Sequence, residues 1–209
     1  MTQPLTTLSG HAIAMPEENI DTDIIFPARF LLITAKAGLG QYAFHDRRFD
    51  GSGAPVEGYV LNRAPFRPED EAAPFIVAGA NFGSGSSREQ AVWAIAGLGV
   101  RCIIATGFGE IFHANCQRNG ILPIVLPADV VAGLMEAAEG EQRFALDLEA
   151  QRLTVGNQTF AFDIAEERKL SLMNGWDETG LLLHQYADAI TAFETSQQAT
   201  CPWLYAKED

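Results

Sequence analysis

Pro74-Phe-Ile-Val-Ala-Gly-Ala-Asn-Phe-Gly-Ser-Gly-Ser-Ser-Arg-Glu-Gln90 is the stretch from which the fold can be worked out. Its first six residues form an apolar run of the length of a buried strand. Asn81 to Gly85 carries turn residues, and Ser87 to Leu98 continues with helical spacing. Downstream the pattern repeats. Arg101-Cys-Ile-Ile-Ala-Thr predicts a strand, residues 110–118 a helix stopped by Asn119-Gly120, and Leu122-Pro-Ile-Val-Leu126 another strand. Short apolar runs alternating with helices predict parallel βαβ units. After a helix at 129–138, the segments 143–148, 152–155 and 158–162 alternate apolar and polar residues around turns at Glu149-Ala-Gln and Gly156-Asn157, which predicts antiparallel hairpins. Upstream, 8–14 and 56–62 have strand character, and the Gly-, Phe- and charge-rich 38–55 is expected to be a long surface excursion with a functional part. Helices are expected at 164–174 and 179–194. The whole is an α/β chain with a mixed, partly parallel sheet and flanking helices, one domain over 1–209 with its core at about 5–165.

Composition narrows the function. The 209 residues hold 14 Lys and Arg against 27 Asp and Glu, a formal net charge of −13. A body so acidic repels a phosphate backbone, so nucleic acid is excluded as a partner. The start, Met1-Thr-Gln-Pro-Leu-Thr-Thr-Leu, has no basic region and no apolar run of signal-peptide length, and the most apolar later stretch, 121–135, is interrupted by Pro123, Pro127 and Asp129. No membrane is expected, and the location is expected to be cytoplasmic. The cysteines are Cys102, Cys116 and Cys201, with no C-x-x-C spacing. Three are too few for a four-cysteine iron–sulfur or zinc site, so this chain is expected to hold no metal.

The chemistry is concentrated in Gly83-Ser-Gly-Ser-Ser-Arg-Glu89. Glycines at 83 and 85 let the backbone turn sharply off the strand. Ser86 fits an N-cap, with Glu89 three residues on completing a capping box. A helix N-terminus presents unpaired N–H groups and the positive end of a dipole, and Arg88 adds a bidentate carboxylate or phosphate partner. The strand-turn-helix setting at the carboxyl end of a parallel strand is where open α/β sheets bind ligands. The segment is not a P-loop, because it has no Gly-Lys-Ser/Thr. His113 on an apolar helix suits a core or interface position, His11, His45 and His184 show no metal pattern, and Trp93 and Phe112 suit the core.

Asn81-Phe-Gly-Ser-Gly-Ser-Ser-Arg-Glu resembles the Gly-Ser-Ser-Arg-Glu motif of the swivelling domain of the aconitase superfamily, and Asn19-Ile-Asp-Thr-Asp23 resembles that family's Asn-x-Asp-Thr-Asp signature. Phe108-Gly-Glu-Ile-Phe-His-Ala-Asn with Gly120-Ile-Leu-Pro, and Met173-Asn-Gly-Trp-Asp-Glu-Thr-Gly-Leu with the helix around Asp188, extend the likeness over nearly the whole chain to the small-subunit family of the 3-isopropylmalate dehydratases. The resemblance implies a β/β/α swivelling domain that closes over a separate large subunit. That large subunit would carry a [4Fe–4S] cluster, with none bound by this chain. The implied reaction isomerises 2-isopropylmalate to 3-isopropylmalate by dehydration and rehydration in leucine biosynthesis.

By the same resemblance Ser86 is the catalytic base, Ser87 and Arg88 hold a substrate carboxylate, Arg29 is a second carboxylate clamp, and Thr22 and Asp23 border the substrate, Asp23 orienting an arginine. Read from the residues alone, Thr22 and Asp23 equally fit a turn closed by an Asx-type hydrogen bond. The apolar Phe30-Leu-Leu-Ile33 is implied to meet the substrate's variable group, with Leu32 at its centre, which favours an alkylmalate over a tricarboxylate. The likeness departs at Ser84, where relatives often carry cysteine, and at Gln90, where they often carry histidine. Dehydratases of citramalate or methylmalate type, or an anion-binding module without chemistry, are the alternatives.

Overall fold

The computed structural model describes residues 2–67 and 73–205. Its centre is strand β1 (Thr7–Met15), nine residues long, which joins two unlike half-sheets. Residues Ala12 to Met15 pair in parallel with β2 (Phe75–Ala78), followed outward by parallel β3 (Cys102–Ala105) and β4 (Leu122–Val125). Residues Thr7 to His11 pair on the other side with antiparallel β5 (Arg143–Asp147), followed by β6 (Arg152–Val155) and β7 (Gln158–Ala161). The order is β4-β3-β2-β1-β5-β6-β7 in one mixed sheet.

Each half follows from its side chains. β2 and β3 are buried along their entire length, as strands covered on both faces must be. β5 alternates exposed and buried residues, the pattern of a sheet with one wet face. Because successive side chains point to opposite faces, the parallel strands serve two cores. Ile13, Ile76 and Ile103 face α3 (Glu89–Gly97) and α4 (Glu110–Arg118), which bring Val92, Ile95 and Phe112. Phe75, Val77 and Ile104 face α5 (Ala128–Glu139), with Val131 and Leu134, and the hairpin residues Phe144 and Leu153. A side chain such as Ile95, removed entirely from water, contributes roughly 1.5–3 kcal/mol.

The crossover from β1 to β2 departs from expectation. Residues 56–62 form no strand but end in a short 3₁₀ turn, Val60–Asn62. The stretch 38–55 is only partly a surface excursion, since Leu39, Ala43 and Phe44 are fully buried around the turn Leu39–Tyr42 and α2 (His45–Arg48). Its apolar residues lie at irregular spacing and fit neither period, so their burial depends on tertiary packing. Arg48 is buried there as well, its guanidinium donating to the carbonyl of Gln41 at 3.1 Å. A four-residue α1 (Thr22–Ile25) follows β1, and the chain ends in α6 (Glu166–Asn174), α7 (Glu178–Gln185) and α8 (Ala187–Thr200), with a break at Tyr186 where one helix was expected. Among the described residues no helix is long and apolar enough to cross a membrane.

Candidate active site

Three loops leaving the carboxyl ends of β1, β2 and β3 are sewn together by backbone hydrogen bonds. Thr22 N–H donates to Ser84 O, Gly83 N–H to Ile20 O, Phe82 N–H to Gly107 O and Gly109 N–H to Phe82 O, all within 3.1 Å. Asn19 and Asn81 both adopt left-handed backbone, and the Asn81 side-chain amide donates to Asn19 Oδ1 at 2.8 Å. Gly83 is required by position. Its φ is +73°, and a Cβ there would lie 2.1 Å from Cγ of the buried Phe112 ring.

This frame fixes the segment that carries the hydroxyls. Thr22 is buried, and its Oγ1 accepts from Ser86 N–H at 3.1 Å and donates to Ser86 O at 3.3 Å. The Ser86 backbone is therefore held on both sides while its side chain, like that of Ser87, remains exposed and makes no hydrogen bond to the described residues. Thr22 was expected to touch substrate. In this structure its hydroxyl is engaged with the Ser86 backbone. Asp21 caps α1, accepting from Ile24 N–H at 2.8 Å.

Ser86 is not the N-cap of α3, and no capping box forms. Gly85 is left-handed, at φ +95°, residues 86 and 87 remain outside the helix, and the helix starts two residues later than expected with Arg88 at the cap position. Glu89 turns away and accepts from the Asn119 amide at 2.8 Å, while Asn119 accepts from Trp93 Nε1 at 2.9 Å, tying α3 to the end of α4. Trp93 is partly buried at the edge of the core, with Lys36 over its ring, and Phe112 is core as expected. The first turn of α3 still presents N–H groups that have no partner within the helix, beside Ser86 and Ser87.

Arg88 is mostly buried and its guanidinium is hydrogen-bonded to the Asp23 carboxylate, which orients it as the sequence suggested. A cleft of about 290 Å³ lined by Asp21, Asp23, Ile24, Asp46 and Arg47 lies alongside. Arg29 pairs with Asp46 of this cleft. Its Nη1 donates to Asp46 Oδ2 at 2.8 Å, its Nη2 lies 3.0 Å from His45 Nδ1, and its guanidinium stacks 4.5 Å over Phe30. The Arg29 hydrogen bond holds the Asp46 carboxyl below the usual carboxylate range. The sequence reading did not single out Asp46 and set His45 aside as showing no metal pattern. Their only signal was charge in a loop, which is ordinary on any surface.

The wall expected from Phe30 to Ile33 is not continuous. Phe30, Leu31 and Ile33 turn against the core, with Phe30 stacked on Tyr42 at 4.6 Å, and Leu32 alone projects, 93% exposed. His113 stands half-buried beside Phe108, and burial pushes its imidazole pKa down.

The family model for the aconitase C-terminal domain matches residues 2–129, and that for the C-terminal domain of the 3-isopropylmalate dehydratase small subunit matches 183–207. A 3-isopropylmalate dehydratase small subunit from Cereibacter sphaeroides is 44% identical over 205 residues, covering 97% of this chain and 100% of its own length. Proteins of the same description from Rhodospirillum centenum and from a Ruegeria species are 43% and 45% identical, covering 96% and 95% of this chain and 98% of each relative. The crystal structure of 3-isopropylmalate dehydratase (leuD) from Methanocaldococcus jannaschii superimposes with a TM-score of 0.64 at 24% identity, over 90% of this chain and 99% of that one, and so shares the fold. Identity at this level over nearly the full length settles the kinship: the chain belongs to the 3-isopropylmalate dehydratase small-subunit family.

Proposed function

We propose that this chain is the small subunit of a two-subunit hydro-lyase that isomerises 2-isopropylmalate to 3-isopropylmalate in leucine biosynthesis, in the cytoplasm, and that it contributes Ser86 as the catalytic base. The observation that carries the reading is the clamp of Thr22 on the Ser86 backbone. It holds an exposed hydroxyl at a helix N-terminus, one residue away from Ser87 and two from an arginine already oriented by a carboxylate.

The reaction needs a proton removed from a carbon beside a carboxylate as hydroxide leaves the neighbouring carbon. Ser86 Oγ takes that proton, and returns one on rehydration, when water adds in the opposite regiochemistry. A serine alkoxide is scarce near neutral pH. The N-terminus of α3 and the Arg88 guanidinium supply the local positive potential that makes it accessible. Arg88, fixed by Asp23, binds one substrate carboxylate bidentately with the Ser87 hydroxyl alongside. Arg29 is the second clamp, reaching its carboxylate once Asp46 yields. Leu32 meets the alkyl group, which favours an alkylmalate over a substrate with a third carboxylate.

The residues of this chain do not suit an iron–sulfur cluster. Cys102 and Cys116 are buried on opposite faces of the sheet with thiol pKa values pushed up by burial, Cys201 lies at the end of α8, and no three His, Cys, Asp or Glu side chains converge among the described residues. In our reading the [4Fe–4S] cluster belongs to the large subunit. The test is anaerobic reconstitution. Neither chain alone turns over isopropylmalate, and the mixture does. Turnover by this chain alone, or none by the mixture, refutes the assignment.

A further inference from the structure

The last two helices bury little against the described residues. No residue of α7 or α8 is buried, yet Leu182, Leu183, Tyr186, Phe193, Trp203 and Leu204 are each at least half exposed. From the cap residue Tyr186 along α8, Tyr186, Ile190 and Phe193 fall on one apolar stripe at helical spacing, and Tyr205 folds the turn Pro202–Leu204 back by donating to Gln197 Oε1, the next position of that stripe, at 2.7 Å. Local forces hold this helix weakly. An isolated helix of about 14 residues is marginal in water. The cap residue Tyr186 makes no side-chain cap, and Thr191, Thr195 and Thr200 hydrogen-bond back to carbonyls four residues earlier, a habit that slightly disfavours helix.

A second copy of the chain is a poor cover. Residues 178–205 contain Glu178, Asp188 and Glu194 and no Lys or Arg, and the whole chain carries −13, so self-association brings like charges together. An apolar stripe with an acidic rim fits a partner surface that is apolar with a basic rim.

The segment also enters from the pole opposite the active site. Thr2 N–H donates to Gly175 O at 3.0 Å, Leu5 N–H to Leu172 O at 2.8 Å, and Arg118 Nε to Glu178 at 3.0 Å, joining α6 and α7 to the amino end of β1 and the carboxyl end of α4. Ser86 and Thr22 lie past the carboxyl ends of the strands. We infer that α7, α8 and the turn after them form a second attachment surface for the large subunit, an anchor remote from the catalytic loops; this rests on the two-subunit reading above. An anchor at one pole holds the partner while the face at the other pole meets substrate. Its loss therefore weakens assembly without slowing chemistry.

The test uses the full chain with Phe193→Asp and Trp203→Asp, and separately the milder Phe193→Ala, titrated against the 3-isopropylmalate dehydratase large subunit from the same organism under anaerobic conditions. The expected result is an apparent Kd for the subunits raised about 30-fold or more in the Asp variant, the loss typical of an interface hot spot, with kcat at saturating large subunit unchanged. Phe193→Ala shifts Kd in the same direction by less, and the thermal midpoint of the core stays at the wild-type value. An unchanged Kd in both variants, or a collapsed midpoint in both, overturns the anchor while leaving the two-subunit enzyme intact. So does a wild-type chain that dimerises alone through this patch by sedimentation. Failure of the wild type to assemble with the large subunit refutes the two-subunit reading and the anchor with it.

Discussion

Thr22→Val separates positioning from mere burial at the active site. The valine matches threonine in shape, and Thr22 is 1% exposed, so the substitution opens no cavity and removes only the hydroxyl. Two hydrogen bonds to Ser86 go with it, at 3.1 and 3.3 Å, leaving a part-buried N–H and C=O without that partner. At roughly 0.5–1.5 kcal/mol net for each, the loss is about 1–3 kcal/mol. For a chain of this size each kcal/mol lowers the melting temperature by about 2–4 °C, so a loss of about 2 kcal/mol lowers it by about 4–8 °C. The kinetic effect is the larger one. Among the described residues the segment 84–87 is then held by Thr22 N–H to Ser84 O and by the ends of the loop, and a displacement of about 1 Å can cost on the order of 100-fold in rate. Calorimetry on the chain and steady-state kinetics on the assembled enzyme read both, with Thr22→Ser, which keeps the hydroxyl, close to wild type. A Thr22→Val enzyme with full kcat and an unchanged melting temperature refutes the clamp. Lost stability with full kcat makes the contact structural only.

Gly83→Ala forces a Cβ into the Phe112 ring at a left-handed position, for about 1–2 kcal/mol of backbone strain and about 1–3 kcal/mol of overpacking, so the chain melts at least ~5 °C lower by calorimetry and the assembled enzyme loses activity. His113 is half-buried with its pKa depressed, so the unfolded chain binds a proton that the folded chain resists. Its contribution is complete above the ordinary histidine pKa and is lost as pH falls through the folded value, and His113→Phe flattens that part of the stability-versus-pH curve measured by denaturant unfolding. Leu32→Arg, on a side chain that touches little of its own subunit, leaves the melting temperature unchanged and shifts kcat/KM away from isopropylmalate toward a tricarboxylate; an unchanged preference removes Leu32 from substrate selection.

The parallel half of the sheet was legible because β2, β3 and β4 are continuous apolar runs separated by helices with clear stops, and the hairpins because the large apolar residues Phe144, Leu146, Leu153 and Val155 recur at every second position. The crossover 16–74 was not. Leu39, Phe44 and Leu61 are buried by irregular loops, where no period announces which side faces in. At the site, the glycines and Arg88 marked the turn that we propose holds the substrate carboxylate. The start of the helix was misplaced because Ser86 and Glu89 satisfy the spacing of a capping box while the left-handed Gly85 redirects the chain. The partners of Thr22, Arg29 and Asp23 lie 64, 17 and 65 positions away, and contacts at that range follow only from the folded topology. The exposed stripe on α8 was read as an ordinary helix because its period is correct; the structure shows that the described residues leave it exposed.

The proposed role of Ser86 is tested most directly by kcat and KM of Ser86→Ala in the enzyme assembled with its large subunit. Removal of the base lowers kcat by at least ~100-fold with KM nearly unchanged, because Arg88 and Ser87 still hold the carboxylate. A Ser86→Ala enzyme that turns over isopropylmalate at close to the wild-type rate contradicts the assignment.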